Sequence, residues 1–184
     1  MRIISGEAKG RTLFAPRGQE TRPTSDKIRG SVFNIIGPRV IGARVIDLFG
    51  GTGALALEAL SRGAAFAVIS DSSRQAIQAI ERNARSVLKD DFDTRVRILR
   101  LDYRAAIDRL DGTFDMVFLD PPYRMTEVYA DALARLAGHL NPGCLVVMER
   151  QKDVSLTLPG GFRTFDTRLY GDTAVDFARF GMTT

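Results

Sequence analysis

Val45-Ile46-Asp47-Leu48-Phe49-Gly50-Gly51-Thr52-Gly53-Ala54-Leu55-Ala56 decides the fold. An apolar strand ends in an acid, a glycine-rich turn follows, and an apolar helix opens and runs to about Arg62. Gly51 and Gly53 let the backbone turn sharply and approach a ligand closely. The free N–H groups at the start of a helix favour electron-rich atoms. A nicotinamide-binding fingerprint is the obvious competitor. Two details oppose it. The spacing Gly-x-Gly-x-x-Ala lacks the third glycine, although alanine is tolerated there. Asp47 sits just before the loop, where it can pair with a cationic amino acid group and would repel a pyrophosphate. S-adenosylmethionine carries such a group.

Downstream of this motif the chain alternates strand and helix. Candidate strands are 44–48, 66–70, 96–100, 114–119 and 143–149, and candidate helices are 53–62, 73–88, 103–110 and 126–140. Alternation at this spacing predicts an α/β fold with a largely parallel sheet and helices on both faces. The tail changes character. Segments 161–170 and 173–180 alternate with period 2 around Gly171-Asp172, which predicts a terminal antiparallel hairpin. Five parallel strands plus that hairpin match the seven-stranded, Rossmann-like sheet of class I methyltransferases.

Four acids fall at the ends of successive predicted strands: Asp47, Asp71, Asp102 and Asp120. Ligands of open α/β sheets bind at the carboxyl ends of the strands. Asp71 comes 18 residues after Gly53, and an acid about 20 residues beyond the glycines can bind ribose hydroxyls. Asp102 follows the run Val96–Leu101 and can meet an adenine amino group. Asp120-Pro121-Pro122-Tyr123 follows the buried run Phe114–Leu119. Each proline fixes φ and donates no N–H, so the stretch reads as a rigid platform. Its carboxylate can accept from an exocyclic amine, its pre-proline carbonyls can point at a ligand, and its tyrosine can lie against a base. That suits chemistry on the amino group of a nucleobase.

The chain has 184 residues, 45% hydrophobic and 26% charged, which is the composition of a globular domain with a real core. Lys9 and Arg11 interrupt the N-terminal stretch, so no signal peptide is expected. No apolar run approaches the ~20 residues of a membrane span. The lone Cys144 reads as a core thiol in a reducing cytoplasm. The single His139 stands apart from any cysteine cluster, so no metal is expected. A monomer is expected.

The formal charge of +4 is uneven: residues 1–40 hold eight Lys or Arg against three acids, and the remaining chain sums to −1. Such a basic patch suggests a polyanion. Arg2–Ser5 and Thr12–Phe14 are expected to pair as a hairpin around Gly6–Gly10. Thr24 or Ser25 is a plausible helix cap. The helix that follows carries Ile28, Val32, Ile35 and Ile36 on one stripe and ends before Gly37-Pro38. The apolar stripe needs a partner, so the chain divides into a basic extension, 1–40, that docks on the main domain and contacts nucleic acid, and a methyltransferase domain, 41–184.

The chain resembles the RsmD family, bacterial 16S ribosomal RNA guanine-N2 methyltransferases. The matching pieces are Met1–Gly6 with Lys9-Gly10-Arg11, and Thr21-Arg22-Pro23-Thr24 with Asp26, Arg29, Phe33 and Asn34. They continue through Asp47-Leu48-Phe49, Gly51 and Gly53, Leu57–Ala64, Asp120–Tyr123, and Tyr170-Gly171 with Thr173. The resemblance implies S-adenosylmethionine as donor, held by Asp47, Phe49, Gly51, Gly53, Asp71 and Asp102. It implies catalysis at Asp120, Pro121, Pro122 and Tyr123, and RNA contacts from Arg11, Arg22, Thr24, Lys27 and Arg29. The implied substrate is 16S RNA in an assembling small ribosomal subunit. There are departures. Gly50 and Thr52 stand where the family usually has alanine and serine, and Asp71 falls one position later than the expected acid. Two other readings stay open: an amino methyltransferase acting on another RNA or on DNA adenine, and an RNA-binding assembly factor without catalysis.

Overall fold

A computed structural model describes residues 1–16, 23–122 and 125–182, with backbone only at Pro23 and Thr24. Seven strands form one sheet: β1 Arg44–Asp47, β2 Phe66–Ser70, β3 Val96–Leu99, β4 Phe114–Leu119, β5 Leu140–Gln151, β6 Phe162–Tyr170 and β7 Thr173–Phe180. Their spatial order is β3-β2-β1-β4-β5-β7-β6. β1 to β5 run parallel, and β7 is antiparallel between β5 and β6. The class I methyltransferase expectation is therefore met. Val45, Ile46, Val117 and Val146 are fully buried, as a parallel sheet covered on both faces requires.

The helices are α1 Pro23–Ile36, α2 Ala54–Ser61, α3 Arg74–Leu88, α4 Phe92–Arg95, α5 Tyr103–Ile107 and α6 Glu127–Leu136. Two apolar clusters occupy the two faces of the sheet. One joins α1, α2 and α3 to Val45, Met116, Phe118 and Val147. The other joins α5 and α6 to Ile46, Val117 and Val146. Val32, Phe33 and Ile36 of α1 belong to the first cluster, and the Phe33 and Phe118 rings lie 5.9 Å apart. With Ile3, Leu13 and Val40 also in that cluster, the described residues of segment 1–40 share the core of the main sheet.

Several boundaries differ from the sequence reading. α1 begins at Pro23, ahead of the proposed cap, because proline's fixed φ and missing N–H suit the first helical turn. The 103–110 helix stops at Ile107 and the 126–140 helix at Leu136, where a tighter turn continues through Ala137–His139. β5 is longer than expected at both ends, because Leu140 pairs with Phe114 of β4 and Arg150 and Gln151 still pair with β7. The N-terminal hairpin reduces to one bridge, Arg2 with Thr12. The period-2 pattern over 173–180 does not carry through to burial in β7, where five consecutive residues, Ala174–Ala178, are buried. This strand sits inside the sheet, and β6 takes the exposed edge.

The chain runs β1 to β3 outward on one side and then crosses to β4 on the other. The crevice beside such a reversal, at the carboxyl ends of β1 and β4, is the binding position of this architecture.

Candidate active site

β1 delivers Asp47 to that crevice. Its side chain is 1% exposed, and Oδ1 accepts from the Phe49 N–H at 3.2 Å. Burial pushes its carboxyl up to about 7; the Phe49 hydrogen bond opposes this and the nearby Asp71 adds to it. A buried carboxyl in this state is poised for a cationic partner. The loop then turns through Gly51 at φ +59° and Gly53 at φ +82°, conformations that favour glycine. Gly53 precedes the first turn of α2.

Gly50 is fixed by packing. A Cβ there would lie 2.5 Å from Ile69 Cγ2 and 2.9 Å from Ile80 Cδ1. These two isoleucines fill the space, so a side chain at this position would require them to shift. The loop is also tied to the end of β2. The Gly50 N–H donates to Ser70 O at 2.8 Å, and Ser70 Oγ donates to Leu48 O at 3.1 Å.

Asp71 has a role that strand-end reasoning missed. Its Oδ2 accepts from the Gly51 N–H at 3.0 Å and its Oδ1 from the Ser73 N–H at 2.9 Å. It holds the glycine loop in shape while lining the cleft, and each oxygen keeps a second lone pair. Asp102 caps α5, accepting from the Ala105 N–H at 2.9 Å. Beside it the rings of Phe49 and Tyr103 lie 5.7 Å apart, an apolar wall suited to a flat adenine. The Tyr103 hydroxyl donates to Asp131 at 2.5 Å, which holds the ring. The donor set therefore fits S-adenosylmethionine: an acid for its ammonium, an open left-handed turn at Gly51, polar groups for the ribose and an aromatic wall for the base.

The other half of the cleft starts at Asp120, which opens onto the cavity and is solvent-exposed there. Protein encloses it on its other sides. Burial pushes its carboxyl well above the ordinary range, and the negative charges of Glu149 and Asp47 push it further. Pro121 is buried. Tyr123 and Arg22 lie outside the described residues, as does the side chain of Thr24. The opposite wall comes from α1, through Ser25, Ile28 and Val32, and from the β6–β7 turn at Tyr170 and Thr173. Ser31 Oγ and the Tyr170 hydroxyl, 2.5 Å apart, join these two walls. One continuous cleft of about 1160 Å³ contains both halves.

Two positioning residues escaped the sequence reading. Glu58 of α2 is fully buried. It accepts from the Ile4 and Ser5 N–H groups at 2.9 and 3.1 Å and from Arg62 Nε at 2.8 Å. Asn83 of α3 donates to both Phe14 O and Thr52 O at 2.9 Å and accepts from the Phe14 N–H at 2.7 Å. Together they clamp the N-terminal segment beside the glycine loop. Gly6 completes the seam, since a Cβ there would fall 1.9 Å from Ser61 O. The available signals were a lone acid inside the apolar run Ala54–Leu60 and a lone asparagine on the apolar face of α3.

Arg29 requires a correction. It was expected to face RNA, but it is 3% exposed. Its guanidinium donates to Asp26 at 3.1 Å and to the Arg2 carbonyl, and it lies 3.6 Å from Glu58. Its charge is compensated inside the fold. Arg11 and Lys27 are exposed. Cys144 is a buried thiol that burial, aided by Asp115, pushes up to about 12, as a core role requires. Among the described residues no group of three or more His, Cys, Asp or Glu is placed to hold a metal ion. Among them also, no helix is long and apolar enough to cross a membrane.

Sheet order, glycine loop and strand-end acids define a class I, S-adenosylmethionine-dependent methyltransferase. The family described as "Conserved hypothetical protein 95" matches residues 1–179, and the chain belongs to it, the RsmD family. It is 38% identical over 162 residues to "Putative rRNA methyltransferase YlbH" of Bacillus subtilis, covering 85% of each chain. It is 34% identical over 124 residues to "Ribosomal RNA small subunit methyltransferase D" of Escherichia coli strain K12, covering 67% of this chain and 61% of that one. The solved structure titled "Putative methyltransferase yhhF from Escherichia coli" superposes with a TM-score of 0.84 at 26% identity, covering 98% of this chain and 97% of that one.

Proposed function

We propose that this protein transfers a methyl group from S-adenosylmethionine to the exocyclic N2 of a guanine in 16S ribosomal RNA, within an assembling small subunit. The observation that carries this reading is the single cleft into which both the Asp47–Gly53 loop and Asp120-Pro121-Pro122 open. The relatives' names, as ribosomal RNA small-subunit methyltransferases, supply the substrate class.

When bound, the donor supplies an electrophilic sulfonium methyl. Asp47 pairs with its ammonium, and Asp102 with the Phe49–Tyr103 wall takes the adenosine. Guanine N2 is a poor nucleophile because its lone pair is delocalised into the ring. Alignment therefore supplies much of the acceleration. Asp120 accepts a hydrogen bond from the N2 amine, and a backbone carbonyl at Pro121 accepts a second. As the N–C bond forms and the C–S bond breaks, positive charge grows on N2, and these acceptors stabilise it. The amine proton then leaves to Asp120 or to water. Tyr123 stacks on the base, a contact worth ~1–3 kcal/mol. The base enters unpaired or flipped out of its helix. Arg11, Arg22, Thr24 and Lys27 contact the RNA backbone, and the enzyme acts as a cytoplasmic monomer.

The test is incubation with methyl-tritiated S-adenosylmethionine and hypomethylated small subunits, alongside naked 16S RNA and DNA, followed by nucleoside analysis. Label in N2-methylguanosine that Asp120→Ala abolishes is the expected result. Label in N6-methyladenine overturns the assignment.

A further inference from the structure

Glu149 stands near the end of β5, and the mechanism above makes no use of it. β4 and β5 run parallel with Leu119 opposite Met148, so the next residues, Asp120 and Glu149, emerge side by side. Both line the main cleft and a small adjoining pocket of about 30 Å³. Arg150 directs its guanidinium to Asp176 at 2.6 and 3.1 Å, so the neighbouring cation is engaged elsewhere. The Tyr129 hydroxyl donates to the Glu149 carbonyl and steadies the strand end. Burial raises the Glu149 carboxyl, and Glu149 in turn raises that of Asp120.

Two adjacent carboxyls are both ionised only when a partner presents adjacent N–H donors, since otherwise they hold a proton between them. Guanine does so with N1–H and the N2 amine. Adenine places a bare N1 lone pair beside its amine, which a second carboxylate repels. We propose that Glu149 is a specificity-determining residue that accepts the N1–H of the target guanine while Asp120 accepts from N2. The proposal rests on the guanine-N2 reading and deepens it. A site built to hydrogen-bond one edge rejects an analogue that leaves its polar group unpaired.

The experiment follows from mapping the methylated position. 16S RNA is ligated with either guanosine or 2,6-diaminopurine riboside at that position and assembled into subunits. Diaminopurine keeps the 2-amino group but offers a lone pair in place of N1–H. The wild type is expected to prefer guanosine by about 100-fold in kcat/KM. Glu149→Gln should lose about 100-fold on guanosine and narrow or invert the preference, because its amide can donate to N1. Glu149→Asp, which keeps the carboxylate, should retain the preference at a lower rate. Thermal midpoint and S-adenosylmethionine affinity are measured on each variant as checks on folding and on the donor half. Equal loss on both substrates, with those two checks unchanged, overturns the proposal, as does a wild type indifferent to the substitution. Absence of N2 methylation on unsubstituted subunits is a different failure. It overturns the guanine-N2 reading before Glu149 is compared at all.

Discussion

The two halves of the cleft are built differently. The donor half is local in sequence: one strand, one glycine turn and one helix supply Asp47, Gly51 and Gly53, and the ends of β2 and β3 add Asp71 and Asp102. The acceptor half is assembled from four distant places: α1, the end of β4, the end of β5 and the β6–β7 turn. A local site depends on turn geometry, which a short motif dictates. A composite site depends on packing between elements, and here that packing runs through buried polar clamps. The contrast teaches that changes in the two halves should fail in different ways.

The largest expected effect isolates chemistry from donor binding. Asp120→Ala should lower kcat about 10³-fold in single-turnover assays, with the S-adenosylmethionine Kd changed less than about twofold by calorimetry. A comparable loss of donor affinity would mean that the two halves act as one unit.

Next comes the clamp. Glu58→Ala leaves the Ile4 and Ser5 N–H groups and Arg62 Nε without their acceptor, and removes a carboxylate that faces the buried Arg29. Breaking a buried charged network costs roughly 3–5 kcal/mol, which for a chain of this size lowers Tm by about 10 °C. Hydrogen exchange should speed first at Ile4 and Ser5. Uniform exchange across the sheet would show that the N-terminal segment does not respond separately.

A smaller effect comes from Asp47. Its carboxyl titrates near 7, so below that pH it holds a proton and is a poor partner for an ammonium. Donor binding should therefore release a proton. The Kd should fall about fivefold from pH 6 to pH 7, and Asp47→Asn should abolish that dependence. Stability of the ligand-free protein should run the other way. A raised carboxyl pKa favours the folded state at low pH, so this contribution is complete below about pH 4 and is lost as the pH rises to about 7. A Kd independent of pH between 6 and 7 would remove Asp47 from the ammonium site.

The smallest effect concerns the surface. Arg11→Ala and Lys27→Ala should each weaken RNA binding a few-fold and reduce the salt slope by about one, with donor affinity unchanged. Arg29→Lys should act on Tm instead, because the guanidinium is buried. Loss of RNA affinity without loss of stability at Arg29 would reverse that assignment.

The legibility of the sequence follows the same division. Strand and helix alternation and the terminal hairpin were readable because burial on a sheet imposes period and length on apolar residues. The glycine loop and the four strand-end acids were readable because turns and parallel-sheet ends demand particular residue types at set places. Arg29 was misread because a cation in a basic segment looks the same in sequence whether it meets solvent or Glu58. Glu58 and Asn83 were passed over because a single polar residue in a helix carries no periodic signal of its own. Glu149 was hidden because its neighbour, Asp120, lies on another strand.

What the amino-acid sequence determined by itself was the order of elements, the class of sheet and the local donor loop, since these depend on contacts between residues near one another along the chain. The apolar stripe of α1 already called for a partner; only the tertiary structure decided that this partner is the α2–α3 face of the sheet, and that β7 lies inside the sheet. It alone brought Asp120 and Glu149 together at one mouth and turned Arg29 inward. Those outcomes rest on long-range packing and on charge compensation between side chains, which are properties of the folded molecule as a whole.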